Sequence, residues 1–312
     1  ELFREENLPL LVEQDRLGTK YDEIIGAQAV EWEGEEKTLP ALQPVYQSPD
    51  RALREKAWKL ANDRRLADNE ALDTLWVEFL KLRTTIASNA DMPDFRAYMW
   101  RELLRFDYSP DDCEAFAAGI EKVFVPAAKR VYDRRRERLG VDTLRPWDLD
   151  VDPGSRAPLA PFDAKDVEKL MSTTSTVFHQ VDPVLGGYFD TMRREGLLDL
   201  DNRKGKAPGG FCTTYDFSKR PFIFMNAVGI QDDVNTLLHE GGHAFHAFEG
   251  FTLPDYAQSS PPIEFCEVAS MSMELLAAPY LTAEKGGFYS PDHAARARIE
   301  HLERIILFLP YM

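Results

Sequence analysis

With 312 residues, 44% of them hydrophobic, the chain can bury a substantial core as one large or two medium domains. Its net charge of −16 argues against a nucleic-acid partner, and no apolar run approaches the roughly 20 residues that cross a bilayer, so no membrane partner is expected. Three cysteines far apart in sequence make neither a disulfide framework nor a CxxC metal site, and with no signal-peptide pattern the expected setting is the reducing cytoplasm.

Helical signals dominate the first half. The tripeptide Ser-Pro-Asp occurs at 48–50, 109–111 and 290–292, each time before a periodic segment. Serine caps exposed N–H groups, proline suits the first helical turn and aspartate favours the positive helix start. After the first of these, Leu53, Ala57, Leu60 and Ala61 form an apolar stripe at helical spacing. Residues 148–163, "DLDVDPGSRAPLAPFD", are rich in Pro, Asp and Gly and lack periodicity. They are read as a connection between a helical lobe over 1–147 and a second region over 164–312. Helical text runs from about 164 to 197, followed by "RPFIFMNAV", whose aromatic and branched residues predict a short strand. The next helix is expected to start at Asp232 or Asp233 and to stop at Gly250. Another covers "PPIEFCEVASMSMELL".

The chemistry concentrates on the helix expected before Gly250. His239 and His243 sit one turn apart on one face, so both imidazoles can reach a single ion, and Glu240 projects beside them. This is the H-E-x-x-H spacing of zinc peptidases, in which two histidines bind Zn²⁺ and the glutamate takes a proton from water. So short a motif arises by chance on the order of once in a hundred such chains, and a structural pair of surface histidines is the plain alternative. A catalytic zinc usually has three protein ligands. Glu249 is one candidate, although a helix continuing through His246 carries it away from the pair. Glu264, Glu267 and Glu274 share a face of the following helix, where inward carboxylates among apolar neighbours need a cation or hydrogen bonds. Glu264 or Glu274 is placed to accept the remaining N–H of a ligand histidine. His246 is read as a packing or supporting residue and Cys266 as packing. His179, His293 and His301 have no spacing partner and receive no role.

The stretches "HEGGHAFH" and "EFCEVASMSMELL", with "GGFCTTYDFSKRPFIFMNAVGIQDDVNTLLHE" and "RPWDLDVDP" upstream, resemble the M3 family of zinc metallopeptidases, in its oligoendopeptidase F branch. The resemblance covers roughly residues 140–280. It implies one Zn²⁺ per chain held by His239, His243 and Glu267, with Glu240 as catalytic base. It also implies a mainly α, two-lobed zincin-type fold with a deep substrate channel and a small β-sheet beside the active helix. Short peptides are the implied substrates, cleaved at internal bonds. The strand at Phe222, Ile223, Phe224 and Met225 is expected to form an edge on which an extended peptide can pair.

Gly241 and Gly242 cost this helix about 1 kcal/mol each relative to alanine. They are read as bare backbone that lets the Glu267 helix or the preceding strand approach closely. Gly241 replaces the family's usual bulkier residue, and a wider cleft floor is the expected result. The family's tyrosine- and histidine-bearing segment, which stabilises the oxyanion, has no match in Tyr280, Tyr289 or Tyr311. A further C-terminal segment or companion fragment is therefore expected. A metallocarboxypeptidase of related helical fold and a catalytically incomplete peptide-binding fragment remain as alternative functions.

Overall fold

The computed structural model of the chain describes residues 2–154, 156–255, 258–259 and 261–311. These residues form two compact units interleaved in sequence. One comprises the residues up to Leu39, Lys59–Cys113 and Arg203–Pro208; the other comprises Pro40–Trp58, Glu114–Asn202 and Gly209 onward. The units do not follow the division at 148–163 expected from composition: residues of the helical first half belong to both.

The first unit opens with α1 (Leu8–Gly26), followed by the antiparallel hairpin of β1 (Ala29–Trp32) and β2 (Glu35–Thr38). Glu33 and Gly34 both have positive φ, the backbone that a two-residue hairpin turn requires. The chain then passes through α2 (Gln43–Tyr46), which belongs to the second unit, and α3 (Arg51–Leu66), which begins in the second unit and ends in the first. Within the first unit α4 (Asn69–Asn89) packs on α1, and α5 (Phe95–Glu102) closes a small core around Ile86, Ala87, Ala90 and Tyr98. The long α6 (Pro110–Leu139) follows, most of it in the second unit.

The three Ser-Pro-Asp signals all mark helix starts. Ser109 and Ser290 cap α6 and α11 (Pro291–Phe308): their hydroxyls accept from the N–H groups of Asp112 and His293. At the first site the capping group is Asp50, whose Oδ1 accepts from Ala52 and Leu53 N–H at 2.9 and 3.3 Å. The aspartate does the capping there because α3 begins after it rather than at the proline.

In the second unit, α7 (Val167–Val181) and α8 (Pro183–Glu195) meet at Asp182, whose carboxylate caps α8 through Val184 N–H at 2.7 Å. Phe178 and Phe189 pack edge to face between them, and Phe245 adds a third ring to this core. Three strands follow: β3 (Leu198–Asp201), β4 (Phe211–Tyr215) and β5 (Arg220–Ala227), in the spatial order β3-β5-β4. β5 pairs parallel with β3 and antiparallel with β4. The strand expected at "RPFIFMNAV" is thus present, but it is central and not an edge. Strands flank it on both sides, so Phe222–Met225 of β5 offer no free edge to a peptide; the edges of this sheet are β3 and β4.

Alternation along β5 buries Ile223 and Met225 and leaves Phe222 and Phe224 half-buried on the other face, against Tyr215 and Phe211 of β4. From β5 the chain turns at Gly229, which has positive φ and where a β-carbon would press on the backbone of Phe162 and Ala164. It then enters α9 (Gln231–Gly250). Asp233 reaches back to accept three N–H groups, those of Val228, Gly229 and Ile230, at 2.7–2.9 Å. That clamp satisfies the N–H groups of the turn that leads from β5 into α9 and ties the turn to the helix start. α10 (Ile263–Ala277) lies against α9, and α11 follows.

Candidate metal centre

α9 presents His239 and His243 one turn apart, their ring centroids separated by 4.9 Å. α10 brings Glu267 to them: its two oxygens lie 3.3 Å from His239 Nε2 and 3.7 Å from His243 Nε2. One ligand atom from each residue falls within 4.8 Å of the others, so the three side chains can converge on one ion. Glu267 is held by Ser270, whose hydroxyl donates to its Oε2 at 2.9 Å.

The two glycines explain how α10 comes this near. A β-carbon on Gly242 would lie 2.6 Å from Ser270 Cα and 2.8 Å from the Ala269 carbonyl oxygen. Bare backbone at 242 therefore sets the approach of the Glu267 helix. Gly241 faces elsewhere, toward the Phe178 ring of α7, where a β-carbon would come within 2.5 Å. It is buried in the core. The expectation that Gly241 widens the cleft floor is therefore incorrect: its missing side chain makes room for an aromatic ring.

Among the supporting candidates, Glu274 is the one joined to a candidate ligand histidine: its Oε1 lies 2.7 Å from His239 Nδ1. Its other oxygen is hydrogen-bonded to His301 Nε2, a buried group on α11. Glu264 is exposed on α10. His246 lines the cleft, but no hydrogen bond among the described residues joins it to His239, His243 or Glu267. Glu249 turns away and accepts from the Tyr188 hydroxyl at 2.9 Å, as a continuous α9 requires.

Electrostatics in the cluster follow from burial and carboxylates. Burial works to lower the His239 pKa, but Glu274, Glu240 and Glu267 around it outweigh this and raise it. Burial holds His243 below the ordinary value. Burial also acts to raise Glu274, yet the hydrogen bonds from His239 and His301 bring it below the usual carboxylate range. Glu240 is 6% exposed. Burial first, opposed by His239 and reinforced by Glu267, pushes its carboxyl up to about 7.

The cluster opens into a cleft of about 500 Å³, with Gly210, Cys212 and Thr214 of the β4 side facing His239, Glu240 and Glu267. The Cys212 backbone N–H faces the Glu240 carboxylate and works against the rise that burial causes, which couples β4 to the candidate base. Pro221 has no N–H, and it is the partner of Thr214 in the β4–β5 register. That pair is therefore of the non-bonded kind, and Cys212 and Thr214 turn their backbone groups away from β5, along the free edge. Sequence reasoning missed β4. The aromatic and β-branched residues of "FCTTY", lying before a turn and β5, are the signal that marks it.

A cleft bordered by a strand thus brings two histidines and a glutamate beside a buried acid. The match to the model of peptidase family M3 extends over residues 45–309. The chain belongs to this family. Over 264 residues it is 25% identical to an oligoendopeptidase F homolog of Mycoplasma pneumoniae, covering 81% of this chain and 41% of that protein. Among solved structures, PZ peptidase A with an inhibitor superposes with a TM-score of 0.90 at 32% identity, covering 99% of this chain and 54% of that one. A Bacillus anthracis structure described as an oligoendopeptidase F gives the same TM-score at 30% identity, over 99% and 55%. The chain thus spans about half the length of these M3 relatives. The mainly α, two-lobed zincin-type fold expected from the sequence is the fold of this M3 chain.

Proposed function

We propose that this chain carries the zinc centre of an oligoendopeptidase that hydrolyses internal bonds of short, unstructured peptides. The observation that carries the reading is the convergence of His239, His243 and Glu267 beside the buried Glu240, at the wall of a cleft bordered by an open strand edge. The donor set fits the metal. Zn–N and Zn–O bonds of about 2.0–2.1 Å set tetrahedral ligand atoms about 3.3 Å apart, and Glu267 lies 3.3 and 3.7 Å from the two histidines. Two imidazoles, one carboxylate and one open position match a catalytic zinc site.

Zinc held there supplies Lewis acidity, polarising the scissile carbonyl and acidifying the attacking water. Glu240 takes the proton of that water and passes it to the leaving amine. Burial raises this carboxyl, which favours holding the proton between its removal from water and its delivery to the amine. With a dication held by His239, His243 and Glu267, Glu240 would be drawn toward the ionised form that accepts the proton. The outward backbone groups of Thr214 and the outward carbonyl of Cys212 offer an extended peptide a strand edge to pair with, which binds main chain without strong side-chain preference.

The test is hydrolysis of internally quenched peptides of about ten residues with both termini blocked, using the whole polypeptide loaded with zinc. Internal cleavage of blocked peptides is the expected result. An absolute requirement for a free C-terminal carboxylate would instead indicate a carboxypeptidase.

A further inference from the structure

We infer that His301, on α11, is a positioning residue for the metal centre: it fixes Glu274 so that Glu274 in turn fixes the tautomer and ring plane of His239. The inference rests on the reading of His239 as a metal ligand. It adds to that reading a residue 62 positions downstream of His239, on a different helix and without any motif of its own.

The geometry is a chain of three side chains through one carboxylate. Glu274 Oε1 meets His239 Nδ1 at 2.7 Å, and Glu274 Oε2 meets His301 Nε2. Each Glu274 oxygen faces one imidazole nitrogen, and a carboxylate so placed accepts at both oxygens. Both histidine nitrogens facing it must therefore carry hydrogen. On His239 this places the N–H at Nδ1 and leaves the Nε2 lone pair free on the side of Glu267 and His243.

One contact would not achieve this. The terminal torsion of a glutamate is broad and roughly two-fold. A carboxylate bonded only to His239 could rotate with it and would not set the plane of the ring. The second bond, from a helix of separate origin, removes that freedom. His301 is itself well anchored: it is 8% exposed. One turn further along α11, Arg304 pairs with Asp232 at the start of α9. One turn before it, Ala297 is buried in the core, and Arg296 donates to the Ala157 carbonyl at 2.6 Å. The same helix therefore grips the beginning of α9 and, through Glu274, its metal-facing middle.

A structural role alone would make His301 a polar group satisfied in the core, replaceable at some cost in stability and none in metal affinity. The test separates the two. In the whole polypeptide, His301→Gln keeps an N–H at the position of Nε2, whereas His301→Asn is too short to reach Glu274 and His301→Leu has no donor. Zinc affinity is measured by chelator competition, alongside the visible spectrum of the cobalt-substituted protein and the melting temperature of each variant. Loss of the direct partner of a ligand histidine typically weakens metal binding 10–100-fold; His301 acts through that partner, so its loss is expected at the lower end, roughly 10-fold. The expected result is a weakening of that size, with a shifted cobalt spectrum, for His301→Leu and His301→Asn, and affinity within about threefold of wild type for His301→Gln. Should the leucine variant fail to fold, the asparagine and glutamine pair carries the comparison. Wild-type affinity and spectrum in the asparagine variant, or a glutamine variant no better than asparagine, overturns the inference. Retention of zinc by His239→Ala would instead remove the ligand reading on which it rests.

Discussion

Gly242 on α9 and Ser270 on α10 are in backbone contact: a β-carbon added at 242 would sit 2.6 Å from Ser270 Cα. Since Ser270 also donates to Glu267, the packing of the two helices and the placing of the third candidate ligand are one structural fact. Alanine gains about 1 kcal/mol of helix propensity over glycine, but here it meets main chain that cannot rotate aside, and overpacking costs about 1–3 kcal/mol or more. Gly242→Ala is therefore expected to lower the melting temperature and to weaken zinc binding by displacing Glu267. Gly241→Ala meets the Phe178 ring instead, so it should lower stability with little effect on metal affinity. Thermal melts and chelator competition on the two variants check this; equal zinc affinities in both would separate the glycine contact from the ligand geometry.

The metal set predicts a division of labour between neighbouring residues on α9. His243→Ala removes a nitrogen ligand and should abolish stoichiometric zinc in the purified protein. Glu240→Gln leaves all three ligands in place and removes only the proton acceptor. It should retain one zinc per chain while turnover falls by about 10²–10⁴-fold, the range of general acid–base catalysis. Metal analysis and peptide hydrolysis on both variants decide the matter; turnover above about a hundredth of wild type in Glu240→Gln would show that the base is another group.

Most of the site was legible because its signals are local. The His239–Glu240–His243 spacing, the helix end at Gly250 and the strand at 220–227 all rest on patterns within a few residues. What escaped depends on pairings distant in sequence. Whether "RPFIFMN" is central or at an edge is settled by β3 and β4, two short strands with weak signals of their own. Among the acidic residues of α10, spacing left several open. Ser270 and the Gly242 contact bring Glu267 to the histidines and leave Glu274 one side of an outer bridge. His301 could not be seen at all, since nothing near it in sequence reveals that α11 returns to α10. The interleaving of the two units likewise reflects which helices pack together, which composition at 148–163 does not report.

Acid sensitivity should be centred on Asp148, which is fully buried. Arg51 contacts both its oxygens at 2.8–2.9 Å, Arg54 donates to Oδ1 at 2.9 Å, and the Arg145 N–H donates to Oδ2 at 3.0 Å. Burial works to raise its pKa, but the arginine and backbone hydrogen bonds together bring it below the ordinary value. A depressed carboxyl contributes stability that is fully present above its unfolded pKa of about 3.9 and is lost as pH falls through the folded value. Urea midpoints should thus change little on this account above about pH 5 and fall below it. Asp148→Asn should flatten that acid slope. It should also cost about 3–5 kcal/mol at neutral pH, because the nearly inaccessible Arg54 loses its counter-charge. An unchanged acid slope in the variant would place the sensitivity in other carboxyls.

The edge strand makes the last prediction. If Thr214 turns its N–H outward along β4, that group is absent from the β4–β5 ladder and is open to a substrate carbonyl. Proline is tolerated in a strand where its missing N–H faces away from the partner, and Thr213 before it is already extended in β4. Thr214→Pro should therefore keep its melting temperature and its zinc. It removes one main-chain hydrogen bond to the peptide, about 0.5–1.5 kcal/mol, so KM for a blocked peptide should rise roughly 2- to 12-fold, with kcat much less affected. Cys212→Pro is the contrasting variant, because its N–H faces Glu240; there kcat should fall. N-methylating single backbone positions of the peptide examines the same register from the substrate side, and the alternate positions should be sensitive. Were Thr214→Pro to bind peptide as tightly as the parent, measured on the Glu240→Gln background so that no turnover intervenes, the substrate would have to lie elsewhere in the cleft than along β4.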